Sequence, residues 1–184
     1  MDRYQSNLVW IDLEMTGLNP AQDTMLEIAT LVTTNNLELV AEGPSFVIYQ
    51  DEPTLNLMDD WNWKHHTASG LVDAVRKSTI TLEMAEEQTL AFLAQYAHKN
   101  LSPLCGNSVW QDAIFLRKYM PRISDFLNYR IIDVSSIKEA IKRWYPNSDH
   151  SNFVKTENHR AMEDIIQSVE ELAHYRTYFF NENA

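Results

Sequence analysis

Five side chains in this sequence could together hold divalent cations and move a proton: Asp12, Glu14, Asp112, Asp164 and His159. Carboxylate oxygens are the ligands that hard cations such as Mg²⁺ and Mn²⁺ prefer in proteins. A histidine near its ordinary pKa of about 6.5 can accept a proton close to neutral pH. Each of these residues, taken singly, is also an ordinary surface residue, so the prediction depends on a fold that brings them together.

The first two acids lie on one predicted strand. The apolar run at 7–14 indicates a strand that ends at Glu14, just before the polar turn at 16–24. Because side chains alternate along a strand, Asp12 and Glu14 project from the same face, about 6.5 Å apart along the chain. Ligand sites in open α/β sheets lie at such strand ends. Two carboxylates on one face repel each other, and a bound cation would offset that repulsion.

The other two acids and the histidine lie near predicted helix starts. Asp112 ends the segment 106–112 and falls within the first helical turns, from which it could face the first strand. Asp164 lies at the edge of the apolar stripe of the last helix, for which Asn158 is the predicted N-cap. Five helical residues rotate by about 500°, so His159 and Asp164 cannot share a helix face. We therefore expect His159 to reach over from the helix start.

Apolar periodicity predicts one α/β domain over residues 1–184, because only four Gly and six Pro interrupt the chain and no boundary is visible. Three opening strands form a predicted meander, and helices dominate afterwards. The predicted strands are 7–14, 25–34, 38–48, 102–105 and 130–133, and the predicted helices are 81–97, 134–144 and the last one, whose stripe is Met162, Ile165, Ile166, Val169, Leu172 and Ala173. This stripe predicts that the last helix lies on the sheet.

The composition limits the classes of function. The formal charge of −11, from 15 Lys+Arg against 26 Asp+Glu, argues against tight non-specific binding of long nucleic acid, which needs many phosphate contacts. A short nucleic acid escapes this objection. The apolar runs are far shorter than the roughly 18 residues of a membrane span, and no signal-peptide pattern follows Met1, so we expect a cytoplasmic protein. The single cysteine, Cys105, is expected to be a buried small residue.

Three motifs place the five residues in a specific order. They are the Asp12-x-Glu14 pair followed by Thr-Gly-Leu, the Asn-Ser-Val-Trp-Gln-Asp segment ending at Asp112, and the His-Arg-Ala-Met-Glu-Asp segment ending at Asp164. Together they resemble the exonuclease motifs of the DEDD superfamily, in its histidine-containing branch. The segments 11–20, 106–112, 129–136 and 159–165 are similar to those of oligoribonucleases, and the resemblance covers essentially the whole chain. It implies an RNase H-like exonuclease fold, with a mixed five-stranded sheet flanked by helices.

The resemblance also implies the chemistry. The expected activity is 3′-to-5′ exoribonuclease, which releases 5′-mononucleotides from very short single-stranded RNA, especially dinucleotides, with two divalent ions, Mg²⁺ or Mn²⁺. Asp12, Glu14 and Asp164 would ligate one ion, and Asp12 would help to hold the second. Asp112 would orient ligands, partly through water. His159 would remove the proton of the attacking water as the general base.

Residues that hold the substrate are likewise implied by the resemblance. Leu18 and Trp61 would wedge the bases of a dinucleotide, although core packing is the alternative interpretation for two such apolar residues. Tyr129 would lie near the scissile phosphate. A polar cap around the 5′-phosphate would consist of Ser108, Arg130, Ser135 and, from a neighbouring subunit, His66. Taking His66 from a neighbour requires a homodimer, which the family forms.

Three other functions share parts of this pattern. A proofreading-type DNA exonuclease would carry the same five residues, and only the substrate distinguishes it. A silent nucleic-acid-binding or scaffold domain could keep the fold, because fold does not fix function, although the intact acids argue against it. A two-ion phosphatase or another nucleotidyl hydrolase is chemically allowed. The segment 145–157 is either a flap that brings in His159 or a solvated connector.

Overall fold

The computed structural model describes residues 6–154 and 160–180. A five-stranded sheet lies at its centre. The strands form where the apolar and β-branched runs predict them, within two residues at most ends: β1 (Leu8–Met15), β2 (Met25–Thr33), β3 (Leu39–Val47), β4 (Pro103–Gly106) and β5 (Asn128–Asp133). The opening meander and both later strands are therefore confirmed.

The strand order β3-β2-β1-β4-β5 places β1 in the middle of the sheet. β1 pairs antiparallel with β2 and parallel with β4, while β2 and β3 are antiparallel and β4 and β5 are parallel. The sheet is mixed, as the resemblance implies. Its register places Glu14 of β1 opposite Glu27 of β2.

Helices flank the sheet on both faces. In the described ranges they are α1 (Glu52–Leu55), α2 (Asp60–Ala68), α3 (Leu71–Lys77), α4 (Leu82–Tyr96), α5 (Trp110–Tyr119), α6 (Pro121–Phe126), α7 (Val134–Trp144) and α8 (Ala161–Phe179). The predicted helices at 81–97 and 134–144 are confirmed as α4 and α7, whereas α1–α3 and α6 lie where the periodicity gave no prediction. The Asp133 carboxylate accepts from the Ser135 N–H and so caps α7. Within residues 6–154 and 160–180, no helix is long and apolar enough to cross a bilayer.

Two apolar layers cover the two faces of the sheet. Residues 9, 11 and 13 of β1 pack with α4, α5 and α6, whereas residues 8 and 10 pack with α7 and α8. Cys105 of β4 is fully buried in the second layer, as predicted. Strand alternation places Asp12 and Glu14 in the row of residues 8 and 10. Both acids therefore project from the face that α8 covers.

The last helix packs on the sheet, as predicted, but differs in two details. It begins at Ala161 with Arg160 at the N-cap, so the predicted Asn158 cap is wrong, and Asn158 itself lies outside the described residues. The predicted stripe is also partly wrong, because Ile166 is 41% exposed while the polar Glu171 is buried at 1%. An acid with internal partners can replace an apolar residue on a buried helix face.

Candidate active site

Three carboxylates form a cluster where β1 meets the start of α8. Asp12 and Glu14 project from β1, and Asp164 lies in the first turn of α8. One carboxylate oxygen from each residue lies within 4.8 Å of the others. The fold therefore brings together three of the four acids that the sequence predicts as cation ligands.

Asp112 approaches β1 from the layer on the other face of the sheet. It lies in the first turn of α5, and its side chain is buried at 5% exposure. Its Oδ1 accepts a hydrogen bond of 3.0 Å from the backbone N–H of Leu13. Burial raises the pKa of the Asp112 carboxyl to about 7 even though this hydrogen bond lowers it. Asp112 thus fixes the backbone between Asp12 and Glu14.

The Glu14 carboxyl binds its proton more tightly than an ordinary glutamate does. Its burial raises the pKa to about 8. The neighbouring carboxylates of Asp164, Glu27 and Asp112 add to this rise, and the Arg160 guanidinium opposes it. A divalent cation would favour the ionised carboxylates, because its charge offsets their repulsion. An all-oxygen donor set fits a hard cation of the Mg²⁺ or Mn²⁺ type.

The sequence does not reveal an ion pair beside the cluster, which joins the buried Glu27 to the partly exposed Arg160. The Arg160 Nε and Nη2 atoms donate to the two carboxylate oxygens of Glu27 at 3.1 and 2.8 Å, and Glu27 is 1% exposed. This contact joins the residue before α8 to β2, and so sets where Asp164 lies relative to β1. The sequence does contain one signal for this pair, because Glu27 is the single acid in the otherwise uncharged run of β2 and a buried acid needs a partner.

His159 lies outside the described residues, and its role as general base stays a prediction. The described part of the segment before it, residues 145–154, packs against α8. The His150 ring stacks on Tyr178 with centroids 3.6 Å apart, and Ser151 is 4% exposed. This part of the segment is therefore docked on the helix and is not a purely solvated connector.

A cavity of about 560 Å³ opens beside Glu14 and is lined by Leu18 and Trp61. Leu18 is 69% exposed and Trp61 is 59% exposed, so core packing is wrong for both residues. The Trp61 ring stacks on His65 with centroids 3.9 Å apart. The Gln111 side chain donates to the Leu18 carbonyl at 2.7 Å and ties this turn to α5. The two predicted base-holding side chains are thus available on the wall of one cavity.

His66 lines the same cavity, with its ring turned inward. The residue is 3% exposed, its Nε2 donates to the Met15 carbonyl at 2.9 Å, and its Nδ1 lies 3.8 Å from a Glu14 oxygen. The resemblance predicts that His66 reaches the substrate of a neighbouring subunit. Within the single chain the ring faces its own Glu14, and the role in a neighbour stays a prediction.

The other predicted substrate residues form two pairs. The Ser108 and Ser135 hydroxyl oxygens lie 3.1 Å apart, and Asp133 Oδ1 accepts from both backbone N–H groups at 2.9 and 3.0 Å. Asp133 Oδ1 thus both caps α7 and accepts from the Ser108 backbone. On β5, the Arg130 guanidinium lies 4.3 Å from the centre of the Tyr129 ring, and Tyr129 is 81% exposed. Ser108, Tyr129 and Arg130 are exposed, and Ser135 is partly exposed.

We expect the cation-free protein to lose thermal stability between about pH 5 and pH 8. The pKa of Glu14 rises from 4.5 to about 8 on folding, so its contribution is complete below pH 4.5 and is lost as pH rises through 8. Melting temperatures in EDTA should fall by several degrees over this range, more in wild type than in Glu14→Gln. Adding Mg²⁺ should raise the melting temperature most at the alkaline end. Equal pH profiles for the two proteins would contradict this account.

Known proteins share both the sequence and the fold. The exonuclease family model RNase_T matches residues 9–172. An oligoribonuclease of Dichelobacter nodosus (strain VCS1703A) is 53% identical over 180 residues, which cover 98% of each chain. An oligoribonuclease of Escherichia coli (strain K12) is 51% identical over 179 residues, which cover 97% of this chain and 98% of that one.

A solved exonuclease I from Methylocaldum szegediense shows the fold at lower sequence identity. Its TM-score is 0.70 at 13% identity, over 95% of this chain and 41% of that chain. Such a likeness shows the fold alone, an exonuclease fold in which helices flank a mixed sheet. The sequence matches, in contrast, are close to half identical and extend over nearly the whole chain. This chain belongs to the oligoribonuclease family of exonucleases.

Proposed function

We propose that this protein is a metal-dependent 3′-to-5′ exoribonuclease that hydrolyses very short RNA, especially dinucleotides, to 5′-mononucleotides. One observation carries the proposal. The carboxylates of Asp12, Glu14 and Asp164 cluster at the edge of the cavity in which Leu18 and Trp61 are exposed. Acids that suit a cation thus lie next to apolar surfaces that suit bases. The names of the relatives at about half identity support the same activity.

The acids and the histidine have separate roles in this proposal. Asp12, Glu14 and Asp164 would hold divalent cations, Mg²⁺ or Mn²⁺, with two per site. When bound, such ions supply Lewis-acid stabilisation of the phosphate in phosphodiester hydrolysis. Asp112 holds the ligand-bearing stretch of β1 through its bond to the backbone. His159 takes the proton of the attacking water and so makes the water a better nucleophile.

Separate groups would hold the bases and the 5′ end. Bases would pack between Leu18 and Trp61, and stacking on an aromatic ring tolerates any base. The cap would consist of Ser108, Ser135 and Arg130, whose planar guanidinium can donate to two phosphate oxygens, with Tyr129 near the scissile phosphate. A cap at the 5′ end favours dinucleotides, because a longer RNA must push its next nucleotide through it.

We also propose a homodimer in which His66 of one subunit reaches the substrate of the other, and one exonuclease domain over the whole chain. Light scattering measures the mass directly, and the dimer is expected at twice the 21.4 kDa of the chain. A fully active monomer would contradict the dimer. The cytoplasmic location stays a prediction.

Comparing substrates tests the proposed function. A 5′-labelled diribonucleotide, a short 5′-labelled RNA, a long RNA and a DNA oligomer are incubated with Mg²⁺, with Mn²⁺ and with EDTA. Fast cation-dependent cleavage of the diribonucleotide, and stepwise shortening of the short RNA from its unlabelled end, are expected. Preference for DNA would indicate a DNA exonuclease, and immediate release of the labelled nucleotide would contradict the 3′-to-5′ direction. No cleavage would indicate a silent binding domain.

Trp61→Ala should raise KM for the diribonucleotide by roughly 5- to 150-fold, because one stacked base contributes about 1–3 kcal/mol. The reacting groups are untouched, so kcat should change much less. Trp144→Ala is the matched control, since this tryptophan of α7 is 74% exposed and does not line the cavity. Equal kinetics for the two variants would remove Trp61 from the base site.

A further inference from the structure

Glu171 is a buried acid of α8 that the proposed chemistry does not use. It is 1% exposed and lies on the side of the helix that packs on the sheet. The groups that approach its carboxylate include the Tyr175 hydroxyl at 2.9 Å, the Asn107 amide at 3.1 Å and the Lys138 ammonium at 3.6 Å. Such donors make the burial of an acid possible.

Glu171 and Ser168 together fix the orientation of the Asn107 side chain. The NH₂ group of Asn107 donates to the Glu171 carboxylate at 3.1 Å and to the Ser168 hydroxyl at 2.8 Å, and the Ser168 proton itself goes to the Asp164 carbonyl at 2.7 Å. The carbonyl oxygen of Asn107 then faces Ser135 Oγ, 3.0 Å away, and accepts its hydroxyl proton. Glu171 is thus one of two acceptors that set the direction of these hydrogen bonds.

Ser135 transmits this direction to Ser108. With its proton directed to Asn107, Ser135 Oγ presents its lone pairs to the backbone N–H and the hydroxyl of Ser108 at 3.0 and 3.1 Å. Ser108 has φ of 51°, a left-handed conformation that is uncommon for a residue with a side chain and needs support from its surroundings. Ser135 and Asp133 supply that support as acceptors for its N–H. In this arrangement the hydroxyl proton of Ser108 is directed to Ser135.

We propose that Glu171 is a positioning residue for the 5′ end of the substrate, because through Asn107 and Ser135 it holds Ser108 in its place in the proposed phosphate cap. The inference rests on the proposed function, in which Ser108 and Ser135 belong to the phosphate cap. Glu171 itself does not contact the substrate. Its effect is therefore confined to substrates that carry the 5′-phosphate.

The test replaces the carboxylate by an amide of the same size. In Glu171→Gln the side chain loses its charge and can donate as well as accept, which weakens the contact that holds Asn107 and, through Asn107, the position of Ser135. The measurement is kcat/KM for a diribonucleotide with a 5′-phosphate and for the same diribonucleotide with a 5′-hydroxyl. The preference for the phosphorylated substrate, expressed as the ratio of these values, should fall about tenfold, mainly through KM. Glu170→Gln, an exposed acid next in the chain, should keep the wild-type ratio.

A double variant separates positioning from general stability. If Glu171 acts through Ser108, Glu171→Gln should change the ratio little further in a Ser108→Ala background. Should Glu171→Gln fail to melt cooperatively, Asn107→Ala cuts the same relay at a partly exposed residue and should lower the ratio similarly. An equal loss on both substrates, or an unchanged ratio, overturns the role of Glu171. If wild type has a kcat/KM ratio near one for the two substrates, the phosphate cap and this inference are both overturned. If wild type turns over neither substrate, the proposed function is overturned.

Discussion

Asp12→Asn should lower kcat for a diribonucleotide by roughly 10³–10⁴-fold, because the Lewis-acid stabilisation that it removes is worth several kcal/mol. Asp12 is central to the proposed site, since its oxygen lies within 4.8 Å of oxygens of both Glu14 and Asp164. The amide keeps the size of the side chain and loses its charge. The protein should also lose the rise in melting temperature that Mg²⁺ gives to wild type.

The folded state should survive this substitution. Removing the charge of Asp12 lowers its repulsion with the neighbouring acids, so the cation-free melting temperature of Asp12→Asn should not fall below that of wild type. Asp125→Asn, at an exposed acid of α6, is the matched control and should keep wild-type kcat. A kcat within a few-fold of wild type in Asp12→Asn would contradict the proposed metal site.

Strand alternation made the first half of the site predictable. A period of two residues along β1 places Asp12 and Glu14 on one face whatever the rest of the chain does, and the structure has them there. Asp112 was predictable in position, because a helix start after the 106–108 turn places it near β1. Its hydrogen bond to the Leu13 N–H was not, because it depends on the exact depth at which α5 packs.

Hydrophobic periodicity could not predict which polar residues are buried. Glu171 and Glu27 look like surface acids in a sequence, and only their partners make their burial possible. The prediction that Ile166 is buried was wrong in the opposite direction, because an apolar residue at the edge of a helix face can remain exposed at little cost in free energy. The exposed Leu18 and Trp61 were nominated by the family resemblance, because apolar residue types alone favour a core position.

His159→Ala should lower kcat by roughly 10²–10⁴-fold while leaving cation binding nearly intact. The histidine is proposed to accept a proton and the acids to hold the cations, so the two functions should separate by mutation. The rise in melting temperature with Mg²⁺ should therefore persist in His159→Ala, in contrast to Asp12→Asn. The His98→Ala variant removes an exposed histidine after α4 and is the matched control, with wild-type kcat expected.

The pH dependence of kcat distinguishes a general base from a residue that only shapes the site. A base must be unprotonated to act, so the wild-type rate should rise with pH as His159 loses its proton. His159→Ala should lack this rise. Protonation of the metal-binding acids would also lower kcat at acid pH. This fall in kcat should move to lower pH when the Mg²⁺ concentration increases, because protons and cations compete for the carboxylates. If the fall in kcat at acid pH persists in His159→Ala and moves with Mg²⁺, the pH dependence belongs to the acids and His159 is removed from the mechanism.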